Sequence, residues 1–138
     1  MKFTRQASSN WKGTGMEGVG TVSTASLTLD KAQLSFKTRF ADGLGTNPEE
    51  LIGAAHAGCF SMQFSFLLNE AGFTADNIDT NAKVTFEDGT ITTIQLELTA
   101  TIPNISNEQF QATATKAKEV CPVSKLFNAD ISLIANLL

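Results

Sequence analysis

The clearest hydrophobic pattern along the chain is one long apolar run punctuated at its start. Asn47 offers a cap for free backbone amides and Pro48 suits the first helical position. Glu49 and Glu50 favour the positive end of the helix dipole, and Glu50 occupies the reciprocal capping position. From Pro48 to about Glu70 no residue stops a helix before Gly72, although Gly53 and Gly58 soften it. Leu51, Ile52, Phe60, Met62, Phe64, Phe66, Leu67 and Leu68 distribute almost all round this helix. That pattern predicts a buried helix covered on several sides.

Strand patterns flank it. The first segment, Trp11 to Phe40, reads mostly as extended chain, with Val19–Thr24 and Ala25–Leu29 as β-prone pieces. In Gln33–Phe40, Leu34, Phe36 and Phe40 alternate with Gln33, Ser35, Lys37 and Arg39, which predicts a strand ended by the turn residues Ala41–Gly45. Between residues 80 and 102, Ala82, Val84 and Phe86 alternate before Asp88-Gly89. Ile94, Leu96, Leu98, Ala100 and Ile102 alternate after it, as in a hairpin. Pro103 ends the run, and Ser106 with Gln109 forms a capping box for a helix through about Glu119. A short helical turn starts near Cys121-Pro122, and Ile131, Leu133, Ala135 and Leu137 alternate in a last strand. With 138 residues and no repeat or linker, the chain reads as one α+β domain spanning residues 1–138.

Composition narrows the functional classes. Fourteen acidic against ten basic residues give a net charge of −4, with no basic run suited to tracking phosphates, so nucleic acid is not an expected partner. Leu51–Asn69 lacks Asp, Glu, Lys and Arg. It also contains Gly53, His56, Gly58, Ser61, Gln63 and Ser65, so a soluble buried helix is expected rather than a membrane span. No secretory pattern follows Met1, and a cytoplasmic location is expected. Only 17% of residues are charged, which suggests surface hidden in an oligomer. Gly13-Thr14-Gly15-Met16-Glu17-Gly18 spells a G-x-G-x-x-G motif, but a β-prone segment follows it where a nucleotide site needs a helix.

The candidate chemistry lies in two cysteines. Cys59 falls within the long helix on a stretch of small residues, and Cys121 immediately precedes Pro122 at a helix start, where free amides would favour a thiolate. Taken alone, each is more often an inert core residue than a reactive one. If the two meet in space, a first thiolate can attack a peroxide and a second thiol can trap the sulfenic acid as a disulfide. Arg39 stands out as a cation to hold the first thiolate, against the ordinary alternative of a solvated strand residue. His56, one helical turn before Cys59, leaves open a Cys–His hydrolase as well as a structural histidine, while the spacing gives little support to zinc.

Two separated segments carry a more specific signal. Lys37-Thr38-Arg39-Phe40 with Gly45-Thr46-Asn47-Pro48-Glu49-Glu50-Leu51-Ile52-Gly53-Ala54-Ala55-His56-Ala57-Gly58-Cys59-Phe60-Ser61-Met62 closely resembles the OsmC branch of the OsmC/Ohr peroxidases. Cys121-Pro122-Val123-Ser124-Lys125-Leu126 resembles that family's second-cysteine motif. The resemblance implies an OsmC-like fold, with antiparallel β-sheet elements around a long buried helix in an intertwined homodimer. It implies reduction of organic hydroperoxides, and less efficiently of hydrogen peroxide, with no cofactor and no metal. Cys59 is then the peroxidatic cysteine, Cys121 the resolving one, Arg39 the guanidinium that holds the thiolate, and Glu49 the carboxylate that orients Arg39. A dithiol reductant is implied, with a lipoylated protein as candidate. Phe60, Met62, Phe64, Phe127 and His56 are candidate pocket residues for an apolar peroxide tail. Glu49 and Cys59 are ten residues apart, about 15 Å along a continuous helix. Either a bend at Gly53 or Gly58 or, preferably, a second subunit would have to bring the charged pair to the thiol.

Overall fold

The computed structural model describes residues 1–138, which divide into two compact units, Met1–Leu51 and Ile52–Leu138. The first unit holds a three-stranded antiparallel sheet in the order β1 (Ala7–Lys12), β2 (Val19–Thr24), β3 (Ala32–Ser35). Ala7 pairs with Thr24 and Lys12 with Val19 across the first hairpin, and Val19 pairs with Ser35 across the second. Gly20 is required here: a Cβ would sit 2.6 Å from both the Asn10 carbonyl oxygen and the Trp11 ring. The glycines at 13, 15 and 18 lie in the β1–β2 turn, where the Gly18 amide donates to the Thr14 carbonyl at 2.8 Å. A strand follows that turn, which removes the nucleotide reading.

Two strand expectations in this unit are corrected. Ala25–Leu29 is a turn region, with Leu27 at φ 61° and its amide bonded back to Thr24. The expected strand Gln33–Phe40 stops at Ser35 and becomes a short helix, α1 (Phe36–Phe40). The cause is local. Ser35 accepts from the Thr38 amide at 3.2 Å and donates its own amide to Thr38 Oγ1 at 2.8 Å, a reciprocal cap that turns the chain. Five residues are too few for apolar alternation to outweigh it. β1 was not anticipated, because every one of its residues is exposed and its sequence has no apolar alternation.

The long helix, α2 (Pro48–Glu70), opens at the end of the first unit and continues without interruption into the second. Its start follows the expected chemistry, with the Glu50 amide donating to Asn47 Oδ1 at 2.8 Å. The second unit contains a three-stranded sheet of β4 (Asn77–Glu87), β5 (Thr90–Thr101) and β6 (Asp130–Leu137), with α3 (Asn107–Val120) and α4 (Pro122–Leu126) between β5 and β6. β4 and β5 form an antiparallel hairpin whose turn residues, Asp88 and Gly89, both have positive φ. β6 runs parallel to β5, so beside the expected antiparallel elements the second sheet is mixed. The crossover through two helices allows this, since parallel neighbours need a long connection.

Period-2 and period-3.6 faces meet in the core. Leu96, Leu98 and Ala100 of β5 pack with Phe60, Phe64 and Leu68 of α2 and with Phe110, Ala114 and Ala117 of α3. The Phe60 and Phe64 rings stack with centroids 6.2 Å apart, and Phe64 meets Phe110 edge-on at 5.8 Å. At Gly53, α2 faces β4, and an added Cβ would make ordinary van der Waals contact with Val84 Cγ2 at 3.4 Å. Contrary to the expectation of all-round burial, only one stripe of α2 is buried: Gly53, His56, Phe60, Phe64 and Leu68. Met62 and Phe66, on the opposite side, remain 62% and 57% exposed. Within the second unit, the β4–β5–β6 sheet and α3 pack on the buried stripe of α2, and Met62 and Phe66 lie outside that packing.

Candidate active site

α2 carries Cys59 on its fourth turn, beside the buried stripe, and the end of α3 delivers Cys121 as the first residue before α4. The helix α3 stops there because Pro122 follows, and Pro122 is well placed as the first residue of α4. The outcome is close convergence of residues far apart in sequence: Cys59 Sγ and Cys121 Sγ lie 3.1 Å apart, with both thiols free. Cys121 is fully buried and Cys59 partly exposed.

Their electrostatic environments differ. Burial, the largest influence, pushes the Cys59 thiol above its ordinary pKa; the Val123 N–H opposes this, and neighbouring Cys121 adds to the rise. Burial also acts to raise Cys121. There, however, the Ser124 amide, the Cys59 thiol, the Ser124 hydroxyl and the Val123 amide together outweigh it and lower the pKa. The opening amides of α4 therefore serve both sulfurs and favour charge on Cys121, as its position before Pro122 suggested.

His56, one turn before Cys59, is completely buried. Its Nε2 lies 2.8 Å from Ser124 Oγ, and its Nδ1 has no hydrogen-bond partner. Burial lowers the His56 pKa, so the ring is neutral. The Phe127 ring meets it edge-on at 5.4 Å. Of the other candidate pocket residues, Phe60 and Phe64 have no exposed surface and belong to the core, while Met62 lies on the outer side of α2.

In the first unit, α1 and the opening of α2 bring Arg39 and Glu49 together. Arg39 Nη2 donates to Glu49 Oε1 at 2.7 Å and Nε to the same oxygen at 3.1 Å. The Arg39 guanidinium also lies 5.0 Å from the Phe40 ring centroid. Burial tends to raise the Glu49 carboxyl, but the Arg39 hydrogen bonds and charge, with its own backbone amide, hold it below the ordinary carboxylate value. Beside this pair is a cavity of about 130 Å³ lined by Trp11, Leu34, Phe36, Arg39, Phe40 and Pro48. The sequence reading found Arg39 and Glu49 but none of the apolar residues around them. It also missed Ser124, whose signal was its place two residues after Pro122 in the second-cysteine segment.

Comparison with known proteins bears on this geometry. A family model described as OsmC-like protein matches residues 41–135. The chain is 44% identical over 137 residues to peroxiredoxin OsmC of Escherichia coli strain K12, covering 96% of each. It is 32% identical over 101 residues to an organic hydroperoxide resistance protein-like protein of Staphylococcus aureus strain USA300, covering 70% of this chain and 72% of that one. Its fold is similar to the crystal structure of the organic hydroperoxide resistance protein OhrB of Bacillus subtilis, with a TM-score of 0.68 at 23% identity, covering 99% and 98% of the two chains.

Proposed function

The chain belongs to the OsmC-like protein family, and from that premise we propose that it is a cysteine-based peroxidase reducing organic hydroperoxides to alcohols and water. The observation that carries this reading is the 3.1 Å separation of the two sulfurs. Cys59, as thiolate, attacks the distal peroxide oxygen. The O–O bond breaks, the alkoxide takes up a proton and leaves as alcohol, and Cys59 becomes a sulfenic acid. Cys121 then attacks the Cys59 sulfur, the S–O bond breaks, and the departing hydroxide is protonated to water as the disulfide forms. A dithiol, with a lipoylated protein as candidate, returns both thiols. Such a cycle suits the reducing cytoplasm. Hydrogen peroxide is a poorer substrate because it has no apolar tail to bury.

Arg39 and Glu49 complete the proposal. The surroundings of Cys59 in the second unit raise its pKa, so a peroxidatic role for it calls for a cation. Arg39, oriented by Glu49, is that cation, and the adjoining cavity with its Trp11, Phe36 and Phe40 walls suits the hydrocarbon part of a peroxide.

We favour an intertwined homodimer in which the second copy supplies the charged pair to each thiol. Two observations support it. The first unit buries only Gly18, Gly20 and Thr38, too little for an isolated sheet. The outer side of α2, with Gly58, Met62 and Phe66, is apolar and uncovered. The family match crosses the boundary between the units, which supports reading residues 1–138 as one domain. The net charge of −4 supports neither nucleic acid nor an acidic membrane as partner.

The Cys–His hydrolase alternative is disfavoured by the bonding of His56. Its Nε2 is engaged with Ser124, and burial works against the imidazolium that such a pair requires. Stopped-flow reaction of the reduced protein with cumene hydroperoxide, t-butyl hydroperoxide and hydrogen peroxide tests the proposal. Rapid reaction with the first two and a Cys59–Cys121 disulfide by mass analysis are expected. Ester turnover without peroxide, or peroxide reduction retained in Cys59→Ser, would overturn it.

A further inference from the structure

The glycine-rich segment around the β1–β2 turn has no part in the two-thiol cycle, yet it shapes the cavity that Arg39 lines. Trp11, the chain's single tryptophan, forms one wall of that cavity. Gly20 stands directly across from Trp11 in the β1–β2 register. A Cβ on Gly20 would come within 2.6 Å of the indole ring, and one on Gly18 within 2.8 Å of the indole nitrogen. Both would also strike backbone carbonyls, so no side chain fits at either position. The indole N–H donates to the Thr14 carbonyl at 3.3 Å. Two glycines and one hydrogen bond thus seat the ring against the sheet.

The cavity behind this wall has a defined size and polarity. Its volume is about 130 Å³. An apolar protein cavity of about 150 Å³ takes up a benzene molecule, so this one suits a single ring or a compact branched group. Leu34, Phe36, Phe40 and Pro48 supply further apolar walls, and Arg39 supplies the charge. A hydroperoxide matches that polarity, with its OOH group at the guanidinium and its hydrocarbon against the indole.

We propose that Trp11, seated by Gly18 and Gly20, is the specificity-determining residue of the site, selecting compact aryl and tertiary alkyl hydroperoxides. The inference rests on the peroxidase reading above and on its placement of the substrate beside Arg39. It gives the glycine motif a role that the nucleotide reading could not. A linear tail gains about fourfold in affinity for each carbon buried. That gain stops once the cavity is filled, at about six carbons by comparison with benzene.

Two measurements on reduced, full-length protein test this. Trp11 is the only tryptophan and tyrosine is absent, so indole emission reports the cavity wall alone. Cumyl alcohol, the product of cumene hydroperoxide, should change that emission saturably. In a series of linear primary alcohols, the dissociation constant should fall about fourfold per carbon and level off near six. Emission unmoved by cumyl alcohol, or affinity that keeps rising well beyond that length, overturns the inference. The second measurement is the ratio of stopped-flow rate constants for cumene hydroperoxide and hydrogen peroxide. In Trp11→Ala this ratio should fall about tenfold through loss of one apolar ring face, and Trp11→Phe should restore most of it. A general loss of structure lowers both rates together, so an unchanged ratio in folded Trp11→Ala also overturns the inference. If Trp11→Ala does not fold, the titration of the unsubstituted protein decides. Reduced protein that reacts with neither peroxide would instead overturn the peroxidase reading, while the titration would still report what the cavity takes.

Discussion

Cys59 and Cys121 are 62 positions apart in sequence, yet their sulfurs are separated by 3.1 Å. A disulfide needs about 2.05 Å, so closure requires roughly an ångström of movement, within reach of side-chain rotation. Peroxide treatment is therefore expected to give an intramolecular disulfide without unfolding α3 or α4. In Cys121→Ser, one equivalent of peroxide should be consumed, and excess peroxide should carry Cys59 on to sulfinic acid, visible as a mass increase of two oxygens.

Arg39 is tied to Glu49 by three hydrogen bonds, and replacing the two residues should affect the peroxide step unequally. For Arg39→Ala we expect the reaction with cumene hydroperoxide to slow about ten- to hundredfold and its pH profile to move upward as the thiol becomes harder to ionise. Glu49→Gln should cost less, because the cation remains but is held less firmly.

The same ion pair has an acid limit of defined sign. The Glu49 pKa is depressed in the folded chain, so the pair's contribution to stability is fully present above the unfolded value of about 4.3. It is lost as pH falls through the lower folded value. Acid unfolding followed by circular dichroism should therefore begin at higher pH in Arg39→Met, where Glu49 has no cation to resist its protonation.

Phe64 is fully buried between Phe60 and Phe110. Truncation to alanine removes both ring contacts and leaves a cavity in the packing of α2 on α3. We expect a loss of about 3–5 kcal/mol in denaturant unfolding, or failure to fold.

Met62 and Phe66 test the proposed dimer, since both are more than half exposed on α2. Met62→Glu combined with Phe66→Glu touches no residue of the core described for one chain. Sedimentation should show a shift from dimer to monomer with loss of peroxidase activity. An unchanged sedimentation coefficient would place the subunit contact elsewhere.

What the sequence revealed followed the range of the forces involved. Asn47 and Pro48, Ser106 and Gln109, and Asp88-Gly89 act within a few residues, and each marked a helix start or turn correctly. Alternation along β5 was legible for the same reason, because one buried face repeats every second residue. At Ser35 two local signals compete: the alternation of Leu34, Phe36 and Phe40 points to a strand, and the Ser35–Thr38 cap, which prevails, points to a helix. The parallel direction of β6 depends on where α3 and α4 return the chain, which alternation does not encode. At the site, the pairing of Cys59 with Cys121 rested on family resemblance. The contact of His56 with Ser124 spans 68 positions and left no periodic signal.

The unequal exposure of the two sulfurs has a consequence for how the oxidised protein is reset. Cys121 lies sealed in the interior, while Cys59 retains access to solvent. An incoming reductant must therefore engage the Cys59 half of the bridge first, expelling Cys121 as the leaving group into the amides and hydroxyl that already favour its anion. Burial thus gives the bridge a front and a back. Reducing agents too bulky to reach the front would leave the protein locked in its oxidised form.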